Sequence, residues 1–294
     1  MQFYRIDHIG QVVPDLTPQI ERLEGLFGFR RSRGWRPTNQ AEGLRWAIPG
    51  SWGQYWELQR DPDARGGLHH VGAEVPDLAA ALAELSDRGL KPVAGVPGEW
   101  ADISLTPPEH GPGVLFRLRG PGPYGGADEP APPAPTDAPH LGVVALDHVC
   151  QAFPDRDELA RWYGDLAGFV EVWRTPIDEH PDMADLVLNI PGSTMCWEVI
   201  MPRGDDSFIE RFLARSGTVA HHVTFEVADW GRAMAACEHH DTPVFGENDG
   251  STDGAAWRDA FIHPKHTGGV LVQLFWEERP GVWVRSDKIP PRSE

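Results

Sequence analysis

Hydrophobic and polar positions along the chain alternate in short runs, and one run occurs four times. It reads His8-Ile9-Gly10-Gln11-Val12-Val13-Pro14-Asp15, then His70-Val71-Gly72-Ala73-Glu74-Val75-Pro76-Asp77. It returns as His148-Val149-Cys150-Gln151-Ala152-Phe153-Pro154-Asp155 and as His222-Val223-Thr224-Phe225-Glu226-Val227-Ala228-Asp229. Each copy opens on His followed by Val or Ile, which predicts a strand. An aspartate stands seven residues after each His. Its carboxylate suits an N-cap, and runs such as Leu78-Ala79-Ala80-Ala81-Leu82-Ala83-Glu84-Leu85 predict a helix behind it.

The segments after these helices read as further strands. In the first unit they include 44–48 and 54–58, and in the third 186–190 and 195–200, each pair joined through Pro-Gly-Ser. The second and fourth units end alike, in 113–118 and 269–274. Units one and three match each other, as do two and four. The pattern predicts an α+β fold of four βαβββ modules, a duplicated pair in which each pair curls into a half-barrel domain. Residues 1–119 form the first pair and 141–283 the second. Between them, 120–140 is a linker rich in proline, glycine and alanine, and 284–294 is a polar tail.

Side chains alternate across a strand with period two. Leu146, His148 and Cys150 therefore share a face, as do Cys196 and Glu198. Ala220, His222 and Thr224 share another, and so do Leu271, Gln273 and Phe275. Converging half-barrel faces bring His148, Glu198, His222 and Gln273 together, with Cys150, Cys196, Thr224 and Phe275 on the pocket wall. Two imidazoles, a carboxylate and an amide oxygen suit one divalent ion of the Fe, Mn, Co, Ni or Zn group rather than Ca or Mg. The first half offers His8, Glu57 and His70, but its fourth position is Arg117. A guanidinium repels a dication, so this half is expected to be metal-free, with Arg117 paired to Glu57 or gripping a substrate carboxylate. His69 and His221 point away from their neighbours and read as structural. The two pocket cysteines read as small apolar wall.

Charge narrows the partners. With 26 Lys and Arg against 44 Asp and Glu, the formal net charge is −18. Such a surface disfavours nucleic acid and anionic membranes, and leaves a small-molecule substrate as the expected partner. It also weighs against polyphosphate ligands such as coenzyme A, unless a local basic pocket overrides the average. Three cysteines, no secretory start and no apolar run of about 18 residues fit a soluble, cytoplasmic protein. Monomer and homodimer both remain open, because the duplication supplies internally what a single-pair protein obtains by dimerising.

These motifs resemble the vicinal oxygen chelate superfamily, which includes glyoxalase I, methylmalonyl-CoA epimerase, fosfomycin and bleomycin resistance proteins, and extradiol dioxygenases. The resemblance covers nearly the whole chain outside linker and tail. It implies paired βαβββ modules with metal ligands on first and last strands, the positions of His148, Glu198, His222 and Gln273. The stretch His263-Pro264-Lys265-His266-Thr267-Gly268-Gly269-Val270-Leu271 is most similar to the epimerase branch, although Glu and Gln are exchanged relative to that branch. The two-domain length resembles the extradiol dioxygenases. Their glutamate position is here Gln273, and Phe261-Ile262-His263-Pro264 lacks their tyrosine.

The expected function is a metal-dependent isomerase, epimerase or lyase that chelates two neighbouring substrate oxygens and stabilises an enolate. Glu198 is the expected proton shuttle, and His263, at the pocket mouth or on a solvated loop, a second base. The alternatives are an Fe(II) or Mn(II) ring-cleaving dioxygenase and a non-catalytic binder of small molecules.

Overall fold

The computed structural model describes residues 1–33, 42–50, 53–122, 129–130, 138–204, 206–252 and 254–279. The expected tail, 284–294, and most of the expected linker lie outside the described residues. Each predicted module is present. The first comprises β1 (Arg5–Val13), α1 (Thr17–Glu21), β2 (Arg30–Arg33), β3 (Gly43–Ala47) and β4 (Tyr55–Arg60). The second comprises β5 (Gly67–Glu74), α2 (Leu78–Asp87), β6 (Ala94–Val96), β7 (Trp100–Ser104) and β8 (Leu115–Arg119). A two-residue strand, β9 (Glu129–Pro130), pairs with β2.

The second half repeats the order with β10 (Val143–Ala152), α3 (Arg156–Ala167), β11 (Val170–Arg174), β12 (Met183–Asn189) and β13 (Cys196–Pro202). Helix α4 (Phe208–Ser216) follows, which the repeat did not predict. Then come β14 (Ala220–Val227), α5 (Trp230–His239), β15 (Val244–Thr252), β16 (Ala255–Ile262) and β17 (Val272–Glu277). Asp77, Asp155 and Asp229 cap their helices as expected, accepting from backbone N–H groups two or three residues on. Asp15 differs. It accepts from Thr17 N, while α1 starts at Thr17 with Pro18 in its first turn and runs into a wide turn over Arg22–Leu26.

Within every module the first strand pairs in parallel with the last, β1 with β4, β5 with β8, β10 with β13 and β14 with β17. The first strands of paired modules then join antiparallel, β1 with β5 and β10 with β14. The sheets run β6-β7-β8-β5-β1-β4-β3-β2-β9 and β11-β12-β13-β10-β14-β17-β16-β15. Each is two modules meeting about a local twofold, which places His8 opposite Gly72, His70 opposite Gly10, His148 opposite Thr224 and His222 opposite Cys150.

The valines and isoleucines that follow these histidines point the other way, into one apolar core shared by both halves. Ile9, Val71, Val149, Val223, Trp56, Trp197 and Phe225 all belong to it. Phe225 packs on Phe27, Phe29 and Trp56, and Phe116 stacks on Trp197 with centroids 5.2 Å apart. Buried glutamines tie the halves further. Gln11 donates to the carbonyls of Thr267 and Gly268, and Gln151 donates to Thr106 Oγ1. Among the described residues no helix is long and apolar enough to cross a membrane.

Candidate metal centre

Period-two reading fails at bulges in the β10–β14 pairing: one at His221 turns Ala220 onto the apolar core and off the face of His222, and another shapes the site. Leu146 pairs with Phe225, and His148 with Thr224, so one residue of β14 faces two steps of β10. Asp147 is the extra residue of this bulge. Leu146 consequently joins the apolar core instead of sharing a face with His148. The bulge also lets Asp147 reach its neighbour, with Oδ1 accepting from His148 Nδ1 at 2.6 Å. That contact orients the ring so that Nε2 faces the pocket. Asp7 does the same in the first half, at 2.9 Å from His8 Nδ1.

His148 Nε2, His222 Nε2 and Glu198 Oε2 form a nearly equilateral triangle with sides of 3.4, 3.4 and 3.3 Å. Donors about 2.1 Å from a tetrahedral centre lie about 3.4 Å apart. Glu198 Oε2 is buried and makes no hydrogen bond of ordinary geometry. The donor set, its spacing and this unsatisfied oxygen fit a divalent transition ion. Gln273 stands beside the triangle. Its Oε1 accepts from Thr224 Oγ1 at 2.8 Å, and Thr224 Oγ1 lies 2.7 Å from His148 Nε2. Replacing Asp147 by asparagine is expected to weaken binding of added zinc about 10–100-fold without unfolding the chain, as read by competition with a chromophoric chelator.

Electrostatics inside the triangle follow from burial and proximity. Burial opposes charge on His148, but the Glu198 carboxylate, with Asp147 behind the ring, overcomes it and raises the imidazole to about 10. Burial likewise opposes charge on Glu198, and the two histidines hold it well below the usual carboxylate range. Burial keeps His222 below its ordinary value against the pull of Glu198. Burial, then Glu198, pushes the Cys150 thiol well up, so it lacks thiolate character. Cys150 packs with Ala152, Ile200 and Ile209, and Cys196 with Val187. Phe275 is buried.

Three carboxyls that the repeat did not single out border this site. Asp147 carried a signal, since units one and three read Asp-His where two and four read His-His. Asp185, on β12 beside Glu198, is raised to about 7 by burial and by the Glu198 charge, and accepts from Thr175. Asp259, on β16, is raised to about 6 by burial and the Glu198 charge, against a hydrogen bond from Asn248.

The first half brings His8, Glu57 and His70 together differently. His8 Nε2 and His70 Nε2 are 2.8 Å apart, a direct hydrogen bond, with Glu57 Oε2 3.3 Å from His8. The rings meet because Gly10 and Gly72 yield space. A Cβ on Gly72 would lie 2.1 Å from the His8 ring, and one on Gly10 equally close to His70. The second half fills these positions with Thr224 and Cys150. Arg45 adds a cation, its Nε 3.6 Å from Glu57. Arg117 finds a carboxylate other than Glu57. Its two nitrogens bind Asp102 at 2.8 Å each, and its guanidinium lies over Trp100. Asp102 faces Arg117 directly across β7 and β8, a pairing the repeat did not show. Burial, with Arg117 nearby, holds His70 neutral. A Gly72→Ala variant is expected to lose about 1–3 kcal/mol of stability by overpacking, read from the urea midpoint.

His263 sits on the loop before β17. It is exposed, and its Nδ1 accepts from Lys265 N. It lines a cleft between the two halves whose wall includes His222. His69 and His221 line this cleft too, each with Nδ1 2.9 Å from that of the following histidine.

A family model for the glyoxalase/bleomycin resistance protein/dioxygenase superfamily matches residues 7–104 and 147–261. The chain belongs to that superfamily. It is 31% identical over 131 residues to the mitochondrial methylmalonyl-CoA epimerase of Mus musculus, covering 44% of this chain and 71% of that one. It is 32% identical over 133 residues to the ethylmalonyl-CoA/methylmalonyl-CoA epimerase of Cereibacter sphaeroides, covering 45% of this chain and 97% of the relative. One such epimerase therefore corresponds to about half of this superfamily member. Over its full length the fold resembles a mutant 4-hydroxymandelate synthase of Streptomyces coelicolor, with a TM-score of 0.67, 13% identity and 95% and 94% of the chains covered. The superfamily expected from the repeated motif is thus the one the chain matches, and its two-domain architecture is the one expected.

Proposed function

We propose that the second half is a vicinal oxygen chelate enzyme of the isomerase, epimerase or lyase type, holding one divalent transition ion at His148, Glu198 and His222 with Gln273 alongside. The observation that carries the reading is the 3.3–3.4 Å triangle around the unsatisfied Glu198 oxygen. Its likeness to two epimerases favours proton transfer over other chemistry of the superfamily. The first half, with its closed histidine pair and adjacent arginines, is the supporting half.

The bound ion supplies Lewis acidity toward two neighbouring substrate oxygens. The chain's residues do the rest. Asp147 and His221 hold the histidine rings, and Thr224 keeps the Gln273 oxygen turned toward them. Glu198 takes the proton from the carbon beside the substrate oxygens. Asp185, on the neighbouring strand and raised to about 7 by burial and the Glu198 charge, is poised near neutrality to receive it. Val187 and Cys150, which flank Glu198 on the neighbouring strands, limit water around the carboxylate. His263 at the cleft is the second base for the opposite face.

Metal content decides the site. Protein purified without added metal is expected to carry about one equivalent of a transition ion, lost in a His148→Ala, His222→Ala double variant. No metal after reconstitution with Fe, Mn, Co, Ni and Zn in turn would overturn the reading in favour of a binding protein. Uptake of solvent deuterium into methylmalonyl-CoA tests the epimerase class. The two-histidine, one-carboxylate triangle also suits a ring-opening dioxygenase, for which oxygen uptake with a catechol and reconstituted iron is the test.

A further inference from the structure

The cleft between the halves has a volume of about 800 Å³. Its first-half wall is Leu68, Val114 and Leu115, and its second-half wall includes Phe212 and Phe245. Among the described residues that line it none is Asp or Glu, in a chain that carries 44 of them and a net charge of −18. Its one strong cation is Arg215, at the end of α4. Arg215 lies over the Phe212 ring at 5.8 Å and touches Ser216, and among the described residues it holds no carboxylate. Four histidines complete the polar lining, and one of them, His222, belongs to the metal centre.

The cleft is also a joint. Gln11 holds the carbonyls of Thr267 and Gly268, so the loop bearing His263 is tied to the first half. Gly66 lies so close that a Cβ there would meet the Gly268 oxygen at 2.7 Å. Two halves are needed to make this space, and the half without an open histidine pair provides one wall.

We propose that this cleft binds the body of the substrate, an amphipathic anion whose apolar part lies between Leu68 and Phe212 and whose anionic head is held by Arg215. The identification of this ligand as the substrate rests on the metal-centre reading, whereas affinity of the cleft for amphipathic anions does not. Apolar walls supply burial, and the absence of acids removes the repulsion that the rest of the surface exerts on an anion. Carboxylate and phosphate heads share this chemistry.

The test uses the full chain and the fluorescent sulfonate 1-anilinonaphthalene-8-sulfonate. Saturable binding is expected, displaced by octanoate or octyl phosphate at concentrations at least about tenfold below octyltrimethylammonium. Whichever of the two anions displaces better reports the preferred head group. Leu68→Glu and Arg215→Glu should each weaken the sulfonate about tenfold or more, while Arg161→Glu, on the outer surface of α3, should not. Circular dichroism and metal content accompany each variant. Equal displacement by the cation, or undiminished binding in both cleft variants, overturns the proposal. If the wild type holds no metal but the anion pattern stands, the metal-centre reading falls and the cleft survives.

Discussion

Glu198→Gln is expected to lower affinity for added zinc by about two to four orders of magnitude, equivalent to the 3–5 kcal/mol that removal of one partner from a buried charged set costs. The effect should be large because Glu198 is the sole anion of the triangle and its Oε2 has no other partner of ordinary geometry. A pH signature accompanies it. The His148 ring, raised above its ordinary value to about 10, stabilises the metal-free fold while protonated. That contribution is complete below about pH 6.5 and is lost as pH climbs through about 10. Metal must displace this proton, so affinity should rise about tenfold per unit between neutrality and pH 9. In Glu198→Gln the carboxylate that sustains the raised value is gone, and this slope should flatten. A zinc titration at four pH values measures both effects. A variant that kept wild-type affinity and slope would sink the assignment of Glu198 as ligand.

Phe225→Ala should cost about 3–5 kcal/mol of stability, the range for emptying a large buried aromatic site. Phe225 is wholly buried, and its ring partners, Phe27, Phe29 and Trp56, all come from the first half. The loss should therefore appear as one cooperative transition at lower urea, followed by tryptophan fluorescence. Two separate transitions, with only the second half weakened, would contradict the shared core.

Much of this architecture could be read from the repeat because two periodicities agree in it. The His-Val/Ile start fixes which face is apolar, and the aspartate fixes where three of the four helices begin. His148, Glu198 and His222 were legible for the same reason, since each stands at a repeated place on a first or last strand. The bulge was not legible. An inserted residue changes pairing without changing composition, so Leu146 looked like a neighbour of His148. Asp185 and Asp259 escaped because they stand on middle strands, where the copies are least alike. The Arg117–Asp102 pairing was not legible, because position alone does not reveal the carboxylate on the adjacent strand. Gly10 and Gly72 were visible as letters, but the hydrogen-bonded histidine pair they permit depends on the cross-strand register.

The pairing of His8 with Gly72 and of His148 with Thr224 has a consequence for how such a protein changes over generations. In a homodimer encoded by one gene, each substitution alters both copies of a site together. In a tandem chain one copy can shed its side chains opposite the histidines while the other retains them. A change in one half then imposes no matching change on the other, and the two halves can be selected separately.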